Sequence, residues 1–188
     1  MFNKKTTIQT VVCLIVLIVV GLAGRLLPHP PNVVPISALA LFISAYFGVR
    51  YSILAVLFVM VASDAVIGFY SWPILLSVYG SFALAGFLGS YLYKHKNIAN
   101  IFVITLGSSL LFFLVTNWAV WQFGSMYAHT WSGLVQSYTM ALPFFRNSLF
   151  GDLVYTGVLF GVVEVVKYFF LNRSKIYINF EPKQARWN

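Results

Sequence analysis

The stretch Ile8-Gln-Thr-Val-Val-Cys13-Leu-Ile-Val-Leu-Ile-Val-Val-Gly-Leu-Ala-Gly-Arg25-Leu-Leu27 decides the class of this protein. It holds no acidic residue, and its one charge lies near its end. A hydrocarbon core ~30 Å thick needs about 20 apolar residues per helix, so this run is long enough to cross a membrane. Working outward, comparable runs recur at 33–49, 52–69, 73–93, 98–121 and 147–171. Six spans are expected, with residues 172–188 as a tail. Alternating strands with regular turns are absent, which argues against a β-barrel. The expected fold is all-α, a single integral membrane six-helix bundle.

Composition agrees. Of 188 residues 60% are hydrophobic and only 9% charged, and four acidic residues cannot solvate a soluble domain. The richness in large apolar residues excludes disorder. A net charge of +8 suggests nucleic acid as a partner, but the basic residues lie between the apolar runs and in the tails. That placement makes the lipid bilayer the expected partner and excludes nucleic acid.

The basic residues also orient the bundle. With the N-terminus inside, ten of the twelve fall on the cytoplasmic side: Lys4, Lys5, Arg50, Lys94, Lys96, Lys167, Arg173, Lys175, Lys183 and Arg186. Arg25 and Arg146 alone fall outside. Both termini are therefore expected in the cytoplasm, with Trp72, Trp118, Trp121 and Trp131 in an aromatic belt at the outer interface. A cleavable signal peptide fits the N-terminus less well, because the apolar run continues past Ala23 to Leu27. Cys13 is the only cysteine, so an intramolecular disulfide is excluded.

One connection is long: residues 122–146, rich in aromatics and expected outside, with a short helix over 132–142. It reads either as a lid or binding loop or as an interfacial anchor. On the fourth span Ser81, Ala85 and Gly89 recur every fourth residue, beside Gly86 and Ser90. Such a stripe permits close helix approach, within the chain by default or against a second protein.

Ionisable groups inside a bilayer are costly and mark function by default. Arg25, Asp64, Asn117, Arg146 and Asp152 are expected in one layer in the outer third of the membrane, with two arginines balancing two aspartates. Asn32, Ser71 and Asn147 or Ser148 are expected to cap the helices that begin there. The candidate binding residues are Arg25, Asn32, Asp64, Asn117, Trp121, Tyr138, Arg146, Asn147 and Asp152. Two readings stand side by side. The layer is a pocket, mostly apolar with a few convergent polar groups, or it is a set of buried ion pairs, Arg25–Asp152 with Arg146–Asp64 or the swapped pairing. Glu164 and Lys167 form a local i,i+3 pair. His29 and His129 make a weak case for a metal, and no metal or cofactor is expected.

Enzyme motifs are missing: there is no His-Glu-x-x-His, no Gly-x-Ser-x-Gly and no phosphate loop. Gly107-Ser108-Ser109 lies mid-span without a partner histidine. Asp64 and Asp152 as a proteolytic dyad would have to share a proton, which the nearby arginines oppose. The chain is not expected to be an enzyme.

Several segments are familiar together: Arg25-Leu-Leu-Pro-His-Pro-Pro-Asn32, Pro35-Ile-Ser-Ala-Leu-Ala40, Ser63-Asp64, Thr116-Asn117, Ala141-Leu-Pro-Phe-Phe-Arg-Asn147 and Gly151-Asp152. They resemble a bacterial family of small uncharacterised membrane proteins, itself similar to the substrate-binding S components of energy-coupling-factor (ECF) vitamin transporters. The resemblance covers nearly the whole chain. It implies a multi-pass protein of the bacterial cytoplasmic (inner) membrane that binds a small water-soluble nutrient, a vitamin or precursor, in an outer-facing pocket for uptake. It also implies a scaffold subunit and ATPases as partners. The first span lacks the Ala-x-x-x-Ala docking patch common in S components, so a solitary transporter is the variant reading. A solitary cobalamin importer of similar architecture uses a cysteine near its pocket as a cobalt ligand, and Cys13 is at the wrong end of the membrane for that role. The alternative function is a structural membrane scaffold protein of similar bundle architecture, comparable to rod-shape scaffold proteins, that binds protein partners.

Overall fold

The computed structural model describes residues 4–178, with side chains described from residue 8 to residue 169. The chain folds into six helices: α1 (Lys4–Leu26), α2 (Ile36–Phe47), α3 (Val49–Ile67), α4 (Trp72–Leu92), α5 (Ile98–Phe123) and α6 (Trp131–Ile178). Five are long and apolar enough to cross a membrane, and α2 is not. Successive helices run antiparallel, so Arg25, Asp64 and the α5–α6 turn share one end of the bundle and Lys96 marks the other.

The second expected span, 33–49, shortens to a helix of 12 residues, about 18 Å long at 1.5 Å per residue. Its limits are chemical. Pro35 has no N–H and marks the start, leaving Asn32 in the preceding loop rather than at the cap. At the other end Gly48, at φ +99°, turns the chain directly into α3, a conformation that side chains disfavour. This short helix is the hub of the fold, packing against each of the other five. Ten of its 12 residues are buried.

Between helices in lipid, close approach supplies the attraction that hydrophobicity supplies in water. The α4 stripe provides it. A Cβ on Gly89 would lie 2.8 Å from the Leu41 backbone, and Ser81 and Ala85 are buried on the same face. The stripe is thus used inside the chain, while Ser90 is exposed. Ser52 Oγ donates to the Ala40 carbonyl at 2.7 Å, joining α3 to α2. At the C-terminus of α2, Lys96 Nζ donates to the Ala45 carbonyl at 2.9 Å and lies 4.3 Å from the Tyr46 ring centroid. Its positive charge complements the helix dipole there, and burial pushes its ammonium below the usual lysine range. Val12, Ile15, Val16 and Val19 of α1 remain exposed, as expected of a lipid-facing surface.

The largest departure from the sequence reading is α6, a helix of 48 residues with Pro143 inside it. The expected loop over 122–146 contracts to residues 124–130, and the sixth span starts at Trp131 rather than 147. Asn147 and Ser148 accordingly lie mid-helix and cap nothing. Of the expected tail, residues 172–178 continue α6, and 179–188 lie outside the described residues.

Candidate functional site

Polar side chains gather in two places, and the two aspartates divide between them. On α3, Asp64 is 1% exposed. Arg25 Nη2 from α1 donates to its Oδ1 at 2.6 Å, and the Tyr79 hydroxyl from α4 donates to its Oδ2 at 2.7 Å. Arg25 also contacts the Met60 sulfur. Both carboxylate oxygens are therefore engaged, and the network staples α1, α3 and α4 together. Of the ion pairs left open by the sequence, the structure forms Arg25–Asp64. The counterpart Arg146–Asp152 is not formed: Arg146 is exposed, and among the described residues the other ion pair is Glu164–Lys167.

Asp152 on α6 is 4% exposed. Ser109 Oγ on α5 donates to its Oδ2 at 2.7 Å, and Ser37, in the first turn of α2, faces the same carboxylate. Neither partner carries charge. The carboxylate lines a cavity of about 50 Å³ with Asn32, Val34, Ser37, Phe82, Phe112 and Ser148. A second cavity of about 130 Å³ adjoins it, sharing Asn32, Phe112 and Ser148 and adding Phe113, Thr116 and Asn117 of α5 and Ala141, Phe144 and Phe145 of α6. Together they form one cleft with a carboxylate at one end and a carboxamide at the other.

Two contacts fix how α6 lies beside α5. Ser137 Oγ meets the Asn117 carbonyl at 3.4 Å, and Asp152 meets Ser109. Between those contacts α6 advances from residue 137 to residue 152, whereas α5 passes only from 117 to 109. At 1.5 Å per residue the two paths are about 22 Å and about 12 Å. Pro143, which has no N–H for a helical hydrogen bond, lies in the longer path. The same offset sets Asp152 about 12 Å from the level of Asn117 along α5, so the expected single polar layer is spread in depth.

The Pro-rich loop closes the third side. Asn32 sits at φ +62°, a left-handed conformation that asparagine tolerates better than most residues. Asn147 Nδ2 donates to the Pro31 carbonyl at 3.2 Å, tying this loop to α6. Asn117 Nδ2 donates to the Phe113 carbonyl at 2.8 Å, which leaves its carboxamide oxygen as an acceptor.

The other expected site residues brace the walls. Trp121 Nε1 donates to the Ala128 carbonyl at 3.0 Å and holds the α5–α6 turn. The Tyr138 hydroxyl donates to the Leu114 carbonyl at 2.9 Å, and its ring packs on Phe113. Of the nine candidates, Asn32, Asn117 and Asp152 line the cleft, Asn147 braces it, and Arg25 and Asp64 form the separate network. Ser37, Ser109, Thr116, Ser148 and Phe112 were not among the nine binding candidates. A signal existed for part of this set: Thr105, Ser109 and Thr116 recur at helical spacing within an apolar run, the mark of an inward stripe. Among the described residues no group of three or more metal-ligating side chains gathers.

Residues 4–175 match a family described as a family of unknown function (DUF6580). No curated protein and no solved structure matches the chain.

Proposed function

The chain belongs to this family of unknown function, and we propose that it is a membrane uptake protein that binds a small water-soluble nutrient in the cleft between α2, α5 and α6. The observation that carries the proposal is Asp152. A buried carboxylate with no cation beside it is costly in a bilayer, and here it faces a cavity lined by Asn32, Ser37 and Ser148. Ligand sites are commonly apolar enclosures with a few convergent polar groups, and the phenylalanines of α5 and α6 complete that pattern. In this reading the cleft faces the outside of the bacterial inner membrane and both termini are cytoplasmic. Release inside follows the manner of S components of vitamin transporters, with an energy-coupling scaffold and ATPases as partners.

A thermal-shift screen of the purified protein against water-soluble vitamins, their precursors and smaller polar metabolites tests this. A ligand at 100 times its dissociation constant stabilises the native state by about 2.7 kcal/mol. At least one compound should raise the melting temperature of the wild type and fail to do so in Asn117→Leu, where an apolar branch fills the cleft. Silence across the panel, or equal shifts in the variant, contradicts the proposal.

A second reading, as a structural scaffold, has its own observation. An apolar groove of about 340 Å³ runs between α5 and α6 from the level of Asp152 toward the Lys96 end of the bundle, and Gly157 and Gly161 line it four residues apart. A Cβ on either glycine meets open space, and the buried Thr156 hydroxyl in the same groove has no hydrogen-bond partner. A transmembrane helix of a protein partner would fit, with small residues allowing close approach. Leucines at both glycines should then abolish a complex that Asn117→Leu leaves intact.

A further inference from the structure

We infer that the cleft takes a small cation: a primary ammonium compound of a few heavy atoms whose charge rests against Asp152. The inference builds on the cleft as a solute site and adds the charge and size of the solute.

The charge follows from the division of the polar groups. In the structure Arg25 is taken by Asp64 at 2.6 Å, and Arg146 is exposed and lines neither cavity. No cationic side chain lines the cleft, and its one charged wall residue is Asp152. Ser109 donates a hydrogen bond to the carboxylate but brings no positive charge to it. A ligand ammonium would supply the missing positive charge, with a charge-assisted hydrogen bond to Asp152. Its remaining protons suit neutral acceptors such as Ser148, and the phenylalanine rings attract cations. An anion would meet repulsion from the carboxylate and no compensating charge.

The size follows from the volumes. The cavity of about 50 Å³ beside Asp152 is the smaller of the two and suits a compact polar group such as an ammonium. The adjoining cavity of about 130 Å³ takes a short body, which the Asn117 carboxamide oxygen can meet through a hydroxyl or amide. Ligand pockets for larger compounds run to about 300–1,000 Å³, so a short amine fits without rearrangement and a bulky one does not.

Equilibrium binding to the purified full-length chain at neutral pH tests this with three probes of matched size: ethanolamine, ethylene glycol and glycolate. Ethanolamine should bind saturably, and neither the neutral nor the anionic analogue should compete at hundredfold excess. Asp152→Asn, which keeps shape and removes charge, should weaken ethanolamine at least tenfold while leaving the melting temperature near that of wild type. If that variant does not fold, the three-probe comparison on the wild type decides alone. Glycolate or glycol binding in preference to ethanolamine overturns the cation, and loss of that binding in Asn117→Leu would keep the cleft as the site. No binding of ethanolamine, or unchanged ethanolamine binding in a folded Asp152→Asn, overturns the inference. The broader solute screen then decides whether the cleft reading falls with it.

Discussion

Arg25 reaches Asp64 across α1 and α3 at 2.6 Å, whereas Asp152 has only neutral hydrogen-bond partners. Two carboxylates of one bundle thus carry different tasks. Asp64, held by a guanidinium and a phenol, fixes how three helices pack. Asp152, held by a serine, faces a cavity.

The Arg25–Asp64 network should behave as structure. Removing one member of a buried pair leaves an uncompensated charge, at a cost of about 3–5 kcal/mol. Asp64→Leu and Arg25→Met should each unfold far more readily in mixed detergent micelles, and the two together should recover most of the loss. Near-additive effects in that double-mutant cycle would contradict the pairing. Tyr79→Phe should cost less, about 1.5–3 kcal/mol, for one hydrogen bond to a charged group.

Close packing of α4 on α2 makes a second expectation. At Gly89 a new Cβ strikes the Leu41 backbone at 2.8 Å, so Gly89→Ala should cost about 1–3 kcal/mol through overpacking. Gly80→Ala, where a Cβ meets nothing within 4 Å, should be neutral or stabilising, since alanine is the better helix former. Melting temperatures of the two variants give the comparison. Equal effects would mean that α2 and α4 lie farther apart.

Much of this architecture was legible in the chain. The apolar runs placed α1, α3, α4 and α5 to within a few residues, because length and hydropathy decide a membrane helix and neither needs tertiary knowledge. The second helix misled for a physical reason. Pro35 and Gly48 bound it tightly, and its burial on all sides erases the one-faced periodicity that would have revealed it as a hub. The sixth misled the other way. Pro143 and Asn147 read as the end of a loop, yet a proline inside a membrane helix is tolerated where neighbouring helices satisfy the freed backbone groups. At the site, Asp152, Asn117 and Asn32 were visible as polar residues among apolar ones. Which arginine meets which aspartate was not visible, because it depends on the depth of each helix, and Asp152 lies about 12 Å from the level of Asn117 along α5.

The role of Pro143 is testable. Proline in a helix interior is about 3 kcal/mol less favourable than alanine, so Pro143→Ala should raise the melting temperature. Its neighbours Ala141, Phe144 and Phe145 line the cleft, so the change should also weaken solute binding. A variant that is more stable and binds as well as wild type would separate the proline from the cleft.

Orientation can be read by labelling. In a Cys13→Ser background, Ser125→Cys in the α5–α6 turn and Lys94→Cys in the α4–α5 turn lie at opposite ends of the bundle, and both positions are exposed. A membrane-impermeant thiol reagent added to intact cells should label the first and spare the second. Labelling of Lys94→Cys alone would invert the bundle and turn the cleft toward the cytoplasm.

The most direct test of a solute cleft is the reactivity of Ser148, which lines both of its cavities. With Cys13→Ser as background, Ser148→Cys in the folded protein should react with a small water-soluble methanethiosulfonate reagent. It should react much faster than Val158→Cys, a position exposed on the lipid-facing side of the same helix, and a bound solute should slow it. A Ser148→Cys thiol that stays as inert as the Val158→Cys control, with or without solute, would mean that water does not reach Asp152 and that the cleft is packing rather than a binding site.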